Sequence, residues 1–295
     1  MSLPIVIFSI IEKSIVQYWF MNHNFYTAWN KEEHTKYFDG WNAMSKSYFK
    51  FLFGCFYENK YLINHLKKNP NLSLLDVGCA TGHLLRYLKL KKVLVDYFGV
   101  DISESCIQKA QEIHEKNCFK KISTQNLAKQ FDGKNYDIVY SRDTVLHQLE
   151  PFKFIKSLID VAKDTLILRL RTRDLGSTIY DPEYSCQLEP GEEWAPYIVL
   201  NYDELIEFFK DLSIIKKVIV NKSYTILGGQ NFRFLDKNLY LKKTGTAETT
   251  MIISIDRNTK EEFKLYESSN IEGHNYLKKN KYRNFFFKIL NKFSI

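Results

Sequence analysis

The sequence predicts an α/β protein built on a doubly wound, mostly parallel, seven-stranded sheet. Strand and helix patterns alternate from residue 71 onward, and several of the strands are continuous apolar runs. A turn with two glycines follows the first of these strands. Strands separated by helices of about ten residues imply parallel βαβ units. Ligands of such sheets bind at the carboxyl ends of the strands, so a site is expected at that edge.

The chain of 295 residues is long enough for one sizeable α/β domain with additions. We divide it into a helical amino-terminal lid at 1–70, the sheet domain at 71–243 and an α+β appendage at 244–295. The lid is rich in aromatic residues and ends at Pro70, which stops a helix. Its first apolar run, residues 3–11, is too short to span a bilayer and is expected to form a docking helix.

The elements of the sheet domain follow from hydrophobic pattern and capping residues. Ser103 is expected to cap one helix, and Asn201 begins another with Glu204 three positions later. Strands are predicted at 72–78, 93–100, 119–124, 136–141, 165–170, 213–220 and 238–243. Helices are predicted at 82–91, 103–116, 152–162 and from 201, with a loop at 171–200. In the appendage we expect a hairpin at 249–267 and a basic helix at 276–293.

Composition excludes several classes of protein. The five cysteines have no Cys-x-x-Cys pair and no histidine at metal-ligand spacing, so neither a disulfide framework nor a metal site is expected. A reducing cytoplasm fits best. Much of the net charge of +8 lies at 276–293. A weak contact of this segment with an anionic membrane or nucleic acid is one interpretation, and a solvated helix face is the favoured one.

The turn "LLDVGCATGHLL", residues 74–85, points away from a phosphate ligand. Gly78 and Gly82 are four positions apart, so the dinucleotide pattern Gly-x-Gly-x-x-Gly is absent. A pyrophosphate requires positive potential at a helix amino terminus, and Asp76 would repel it. A cationic ligand without phosphate has the opposite requirement. The turn therefore disfavours a nucleotide-dependent oxidoreductase.

A second carboxylate ends the next strand. Asp101, in "FGVDIS", lies nineteen residues after Gly82. A carboxylate at this place accepts two hydrogen bonds from the vicinal hydroxyls of a ribose. Together with Asp76 it predicts a pocket for an adenosine-like ribose and a cationic group. The alternatives are that Asp76 caps the following turn and that Asp101 is a helix N-cap one turn early.

Three stretches, "LLDVGCATGHLL", "FGVDIS" and "YDIVYSRDTVLHQL", resemble in order and spacing the motifs of class I S-adenosylmethionine-dependent methyltransferases. The resemblance extends over residues 35–245 and makes 71–243 the Rossmann-like cofactor-binding domain. It implies S-adenosyl-L-methionine as cofactor and S-adenosyl-L-homocysteine as product. The residues implied to contact the cofactor are Tyr37, Trp41, Asp76, Gly78, Cys79, Ala80, Gly82, His83, Asp101, Ile102, Asn126 and Ser141.

The resemblance also suggests individual roles. Asp76 would lie near the amino group of the methionine part, and Asn126 would recognise adenine at a position where an aspartate is more usual. At the position of Ala80 the family often has a glycine. An alanine is tolerated there as long as its φ stays below zero. Tyr37 and Trp41 lie in a helix that would cover the cofactor, although packing residues are the alternative.

The stretch after the fourth predicted strand contains the candidate catalytic groups. Methyl transfer from a sulfonium is an in-line displacement, and an oxygen nucleophile also needs a base. His147 can titrate near neutrality and is the candidate base, with a structural role as the alternative. Arg142 and Asp143 are further candidates for the base or for anchoring the acceptor.

Residues of the fifth strand and the following loop are candidates for acceptor binding. Arg171 and Arg173 could form a fork for an anionic group. The alternative is ion pairs with Asp164, Asp174 or Glu183. The long aromatic loop after them suits an acceptor-binding lid. Its candidate residues are Tyr180, Tyr184, Trp194 and Tyr197.

Missing motifs limit the acceptor. The chain has no Asn/Asp-Pro-Pro-Tyr/Phe, no Pro-Cys nucleophile and no acidic cluster for a divalent metal, so no DNA partner is expected. The sequence predicts a methyltransferase acting on an oxygen or nitrogen of a small, anionic or sugar-like acceptor. The Lys- and Asn-rich composition suggests a low-GC bacterium and hence, by analogy, a surface-polysaccharide precursor. A non-catalytic cofactor-binding scaffold and a protein or RNA methyltransferase are the alternatives, and the oligomeric state stays open.

Overall fold

The computed structural model describes residues 25–123, 127–131, 133–228, 232–240, 245–258 and 262–270. The predicted docking helix, Asn126 and the predicted basic helix at 276–293 lie outside these residues. The described helices are α1 Glu32–Asn42, α2 Lys46–Phe53, α3 Tyr57–Lys68, α4 His83–Leu90, α5 Glu104–Ile113, α6 Leu127–Gln130, α7 Pro151–Val161 and α8 Tyr202–Lys210. None of them is long and apolar enough to cross a membrane.

The strands form two sheets. They are β1 Ser73–Val77, β2 Asp96–Asp101, β3 Phe119–Lys121, β4 Tyr136–Arg142, β5 Ala162–Arg173, β6 Ser185–Glu189, β7 Glu193–Pro196, β8 Leu200–Asn201, β9 Ile215–Tyr224, β10 Arg233–Leu235, β11 Thr246–Ile255 and β12 Lys264–Asn270. The central sheet has the order β12-β9-β11-β5-β4-β1-β2-β3, and β8 pairs with β5. Its strands are mostly parallel, so the predicted α/β class is confirmed, although nine described strands form the sheet where seven were expected.

The register of the sheet places the predicted polar residues at one edge. Asp76 near the end of β1 lies opposite Gly99 of β2 and Tyr140 of β4. Asp101 is the last residue of β2, and Arg142 is the last of β4. Because parallel strands end at the same edge, the βαβ order alone brings these side chains together.

Apolar side chains cover both faces of the central sheet. On one face, α2, α3, α4 and α5 pack through residues such as Phe49 and Leu62. On the other face, α6, α7 and α8 pack through residues such as Ile155 and Phe209. The side chains of Phe49, Leu62, Ile155 and Phe209 are fully buried, so both faces of the sheet are closely packed.

Local capping explains where several helices begin. The Ser103 hydroxyl accepts from the backbone N–H of Cys106 at 3.3 Å, as predicted. The Asn201 side chain accepts from the backbone N–H of Glu204 at 2.9 Å. Glu204 does not complete the capping box, since its carboxylate accepts instead from the backbone and hydroxyl of Thr178.

The carboxyl-terminal part of the central sheet differs from the prediction. Residues 237–239 form a short 3-10 helix, so the strand expected at 238–243 is wrong over these residues. Strand β11 takes its place, between β5 and β9 and antiparallel to both. The hairpin expected at 249–267 is wrong as well, because β12 pairs in parallel with β9 rather than with β11. The apolar residues of "NLYLKK" suggested the false strand, and β11 begins at Thr246, three residues before the start of the expected hairpin.

The segment predicted as a loop at 171–200 contains secondary structure. Strands β6 and β7 pair antiparallel within it, and β10 joins them to form a second, three-stranded sheet. A small apolar cluster beneath this sheet contains Leu146, Tyr197, Val199, Leu227, Leu235 and Leu239. This second sheet lies beside the carboxyl edge of the central sheet, since Ile198 donates to the Leu146 carbonyl at 2.8 Å.

Candidate active site

A cavity of about 790 Å³ lies at the carboxyl ends of β1, β2 and β4. Helix α1 and the second sheet also contribute to its wall, through residues such as Trp41 and Gln187. A volume of this size is typical of sites for small molecules and cofactors. Fourteen of the predicted site residues line it: Tyr37, Trp41, Asp76, Gly78, Cys79, Ala80, His83, Asp101, Ile102, Arg142, Asp143, His147, Arg171 and Tyr197.

The turn after β1 has an unusual backbone. Gly78 and Gly82 both have φ of 82°, a left-handed conformation that favours glycine. A Cβ on Gly78 would lie 2.2 Å from Thr144 Oγ1, so no larger residue fits there. Ala80 has φ of 46°, which corrects the expectation of a negative φ. The turn accepts this strained alanine because its N–H is held by Asp101.

Asp101 holds the turn through its carboxylate. One of its oxygens accepts from the Ala80 N–H at 2.9 Å, and the other accepts from the Ser103 N–H at 2.9 Å. Burial raises the pKa of Asp101, against the effect of these backbone hydrogen bonds. Each oxygen can still accept another hydrogen bond from a ligand. The N-cap alternative is therefore compatible with a binding role.

Asp76 does not cap the turn. Its carboxylate accepts from the Tyr97 hydroxyl at 2.7 Å, across the pair of strands β1 and β2. Burial raises the pKa of Asp76 to about 7, while the Tyr97 hydrogen bond and Arg142 oppose the rise. A buried carboxyl group of this kind is stabilised in its charged form by a nearby cation. The structure thus gives Asp76 the environment that a cationic ligand would complete.

Helix α1 is fastened over the glycine turn by two residues of α4. His83 Nε2 donates to the Phe38 carbonyl at 2.8 Å and lies 3.1 Å from Thr81 Oγ1. Arg86 donates to the Trp41 and Met44 carbonyls, each at 2.6 Å. Burial lowers the pKa of His83 to about 3, so its imidazole is neutral. We call these contacts the lid latch.

His147 has the geometry of a base. Its Nδ1 donates to the Pro196 carbonyl at 2.7 Å, which leaves Nε2 as the unprotonated nitrogen. No described residue forms a hydrogen bond with Nε2. Trp29 contacts the imidazole edge to face, with ring centroids 4.7 Å apart. Burial lowers the pKa of His147 to about 4, against the effects of the Pro196 hydrogen bond and Asp143, so the ring is neutral at pH 7.

Three arginines and three carboxylates form a buried ionic cluster beside the cavity. Arg171 bonds to Asp143 at 2.8 Å and lies 3.5 Å from Glu248. Arg142 Nε is 3.2 Å from Glu58, whose remaining oxygen accepts from Thr250 at 2.9 Å. The third arginine of this cluster contacts all three carboxylates. The members of the ionic cluster are Glu58, Arg142, Asp143, Arg169, Arg171 and Glu248.

The contacts of the ionic cluster decide whether Asp143 can act as a base and whether Arg171 and Arg173 can bind an anion. Burial alone would raise the pKa of Asp143, but the neighbouring arginines hold it well below its usual range. Asp143 is therefore a poor base. The fork expected from Arg171 and Arg173 is occupied by protein groups, because Arg173 donates to the Leu175 carbonyl at 2.6 Å and lies 3.7 Å from Asp236. Arg171 and Arg173 form ion pairs, as the alternative predicted. Their partners are Asp143 and Asp236, and not the expected Asp164, Asp174 or Glu183.

Six described candidates do not line the cavity. Gly82 is the N-cap of α4, and a Cβ there would meet His114 and Phe119. Ser141 is fully buried within β4. Tyr180 and Tyr184 are exposed by 46% and 42% on the outside of the loop. Trp194 packs against Phe234, and Arg173 has the partners just given.

Other residues line the cavity but were not predicted. Trp29 and His34 come from the segment that precedes and begins α1, and Gln187, Glu189 and Arg233 come from the second sheet. Burial lowers the pKa of His34 to about 4. A hydrophobic pattern could not indicate them, because β6 and β10 are short and pair across a separation of 46 residues. Within the described ranges, no group of three or more His, Cys, Asp and Glu is arranged for a metal ion.

Comparison with known proteins identifies a methyltransferase domain in this chain. Residues 68–201 match the family model described as a methyltransferase domain. The mitochondrial ubiquinone biosynthesis O-methyltransferase of Saccharomyces cerevisiae is 28% identical over 155 residues, which is 50% of this chain and 50% of that protein. The phosphoethanolamine N-methyltransferase of Plasmodium falciparum is 29% identical over 89 residues, 30% of this chain and 33% of that protein. The chain thus spans half the length, or less, of these curated relatives.

A solved structure is also similar. The magnesium protoporphyrin IX methyltransferase of Synechocystis, with bound S-adenosylmethionine, superposes with a TM-score of 0.38 at 20% identity. The match covers 66% of this chain and 76% of that chain.

Proposed function

We infer that the protein transfers a methyl group from S-adenosyl-L-methionine to an oxygen or nitrogen of a small acceptor. The inference starts from the methyltransferase domain matched at residues 68–201, which confirms the resemblance to class I methyltransferases. One observation carries the proposal. Asp101, the glycine turn and the free nitrogen of His147 all belong to a single cavity. A ligand held by the first two would therefore share its enclosure with a base.

The residues present fit the cofactor. The paired backbone bonds of Asp101 leave lone pairs for ribose hydroxyls, and buried Asp76 requires a cation. Ile102, Ile122 and Leu127 add an apolar surface suited to a flat base. We assign Gly78, Cys79 and Ala80 to the methionine part. When bound, the cofactor supplies an electrophilic methyl group on a sulfonium.

The main contribution of the protein to the reaction is to position the nucleophile and the methyl donor. Alignment of a nucleophile with a good leaving group is worth up to about 7–11 kcal/mol through proximity and orientation. The strained turn, the latched lid helix and the ionic cluster are rigid features that hold such an alignment. Trp29, Tyr37 and Trp41 give one part of the cavity an aromatic lining.

His147 is proposed to accept the acceptor's proton. Its Nδ1–H is fixed by the Pro196 carbonyl, so Nε2 presents its lone pair. With a pKa lowered to about 4, the imidazole is fully available at pH 7 but is a weak base. This suits an acceptor group whose own proton is acidic. Arg142 and Asp143 are assigned to positioning, since both belong to the ionic cluster.

The acceptor is proposed to be small and anionic, or sugar-like as a surface-polysaccharide precursor would be. Support comes from the aromatic and polar lining, which suits rings, and from a relative that by its name acts on phosphoethanolamine. A cytoplasmic location is part of the same proposal, and it is supported by the five cysteines, which are all free thiols.

Calorimetric titration with S-adenosylhomocysteine tests the cofactor site. We expect the wild type to bind, and Asp101→Ala to lose at least about 100-fold in affinity, since a charge-assisted pair of hydrogen bonds and the turn geometry are lost together. Asp96→Ala is the matched control, because Asp96 begins the same strand and is exposed. Unchanged binding in Asp101→Ala would contradict the assignment.

The acceptor is found by a screen with labelled methyl donor. Nucleotide sugars, phosphorylated sugars, glycans, phenolic acids and phosphoethanolamine form the panel. Transfer of label with release of S-adenosylhomocysteine supports the enzyme. Tight cofactor binding with no transfer to any acceptor class would favour the non-catalytic scaffold instead.

A further inference from the structure

The second sheet places three polar side chains in the cavity that have no assigned role. Gln187 and Glu189 lie on β6, and Arg233 lies on β10 directly opposite Gln187 in the strand register. Arg233 Nε donates to Gln187 Oε1 at 2.9 Å, and the amide of Gln187 donates in turn to Glu189. We call these three residues the acceptor wall.

The Arg233 guanidinium is oriented by aromatic rings. Its central carbon lies 4.5 Å from the ring centroid of Tyr197 and 5.3 Å from that of Phe232. Nη1 makes one long hydrogen bond, of 3.4 Å, to the Leu227 carbonyl. Stacking against Tyr197 and the Gln187 bond fix the plane of the group but leave part of its five donor hydrogens without a partner among the described residues. A planar fork is thus held in place at the cavity.

Arg233 differs from the arginines of β5. Arg171 is paired with Asp143 and Glu248, and Arg173 lies 3.7 Å from Asp236. No carboxylate within the described ranges lies within 4.0 Å of Arg233. A half-buried guanidinium with unsatisfied donors is costly unless an anion completes it. The anion fork that the sequence placed at Arg171 and Arg173 therefore has a better candidate in the second sheet.

The location relates Arg233 to the proposed chemistry. Tyr197 is a shared neighbour, because its ring contacts Arg233 on one side and lies 6.2 Å, centroid to centroid, from His147. Arg171 donates to the Tyr197 hydroxyl at 3.2 Å, which fixes the ring. A molecule whose acidic group binds Arg233 would thus extend along Tyr197 toward the base.

We propose that Arg233 binds a carboxylate on the acceptor and is a specificity-determining residue of the site, an inference that rests on the proposed function. A carboxylate matches the planar fork bidentately. A phosphate dianion fits less well, because the neighbouring Glu189 carboxyl group would repel its second charge. The substrate class is therefore a small acceptor with a carboxyl group and a separate oxygen or nitrogen nucleophile.

The test uses the full chain saturated with S-adenosylhomocysteine and two probes, benzoate and inorganic phosphate. Affinities are measured by calorimetry or by ligand-observed NMR for the wild type, Arg233→Gln and Arg233→Lys. Lys237→Gln is the control, because it removes an exposed positive charge close in sequence. We expect benzoate to bind the wild type and Lys237→Gln equally, and to bind Arg233→Gln at least tenfold more weakly. Arg233→Lys should recover part of the loss.

Each outcome is informative. Benzoate affinity that is equal in Arg233→Gln and the wild type, or the absence of benzoate binding to the wild type, would overturn the proposal. Tighter binding of phosphate than of benzoate would overturn the preference for a carboxylate. S-adenosylhomocysteine should bind all four proteins alike. Failure of the wild type to bind it would instead refute the proposed function, so the two failures are distinguishable.

Discussion

The two halves of the cavity are built in different ways. The donor half, formed by the glycine turn with Asp76 and Asp101, comes from one continuous β-α-β unit. The acceptor half, formed by His147, Tyr197 and the acceptor wall, combines a loop after β4 with strands of a separate sheet. Regular topology therefore determines the side that we propose binds the cofactor. The side that meets the acceptor depends on additions that can change without disturbing the central sheet.

The ionic cluster joins the two halves, and its removal should have the largest effect. Glu58 is almost fully buried and faces two arginines, so Glu58→Ala leaves positive charge uncompensated. We expect a loss of about 3–5 kcal/mol in the free energy of unfolding, measured in urea. Glu112→Ala breaks an exposed pair with Lys109 and should cost at most about 1 kcal/mol. Similar values for both would mean that the cluster is not a structural link.

Removal of the proposed base, His147, should affect the acceptor half and leave the donor half unchanged. His147→Ala is expected to lower kcat by about 10²–10³-fold with any acceptor found in the screen, because general base catalysis contributes on this order. Its affinity for S-adenosylhomocysteine should stay that of the wild type, since His147 belongs to the acceptor half. His65→Ala, outside the cavity, is the control. Turnover and a pH profile equal to the wild type would make His147 structural.

Acid should weaken both halves through their buried histidines. Burial lowers the pKa of His34, His83 and His147 from 6.5 to about 4, 3 and 4. The unfolded chain then binds more protons than the folded chain between pH 6.5 and about 4, so stability falls as the pH is lowered through this window. Asp76 acts oppositely, because its raised pKa stabilises the fold at low pH and this contribution is lost as pH rises through about 7.

The net effect on stability should be a loss of at least about 2 kcal/mol between pH 6.5 and 4.5, since one pKa unit corresponds to about 1.4 kcal/mol. Urea unfolding at several pH values measures it. His83→Gln removes one titrating group and should flatten the dependence. A slope unchanged by this substitution would show that His83 titrates normally in the folded chain.

The smallest effect is expected in the donor half, at Ala80. Its φ of 46° is strained for alanine, so Ala80→Gly should raise the free energy of unfolding by up to about 1 kcal/mol, after the greater entropy of the unfolded glycine chain is subtracted. Ala110→Gly, within α5, should instead destabilise the protein by about 1 kcal/mol. Loss of stability in Ala80→Gly would contradict the strain.

The same contrast explains what the sequence could predict. The location of Asp76 and Asp101 at the carboxyl edge of the sheet could be predicted, because strand ends and turn glycines are local signals. The parallel register then aligns the two residues. The φ of Ala80 was missed because it depends on the hydrogen bond that the Ala80 N–H donates to Asp101, 21 positions away. The partners of the β5 arginines were missed because Glu248 lies 79 residues from Arg169, on a strand assigned to an appendage. Nothing in the local pattern of β10 marks Arg233, whose environment exists only after the second sheet forms.

The lid latch has a kinetic consequence. The carbonyls of Phe38, Trp41 and Met44 are all bonded by side chains of α4, the helix that begins at the glycine turn. These bonds hold Phe38 and Trp41 in the wall of the cavity, where we expect them to slow the exit of a nucleoside bound against that turn. We therefore expect product departure to be slow relative to the chemical step, so that the residence time of spent cofactor sets the pace of successive turnovers.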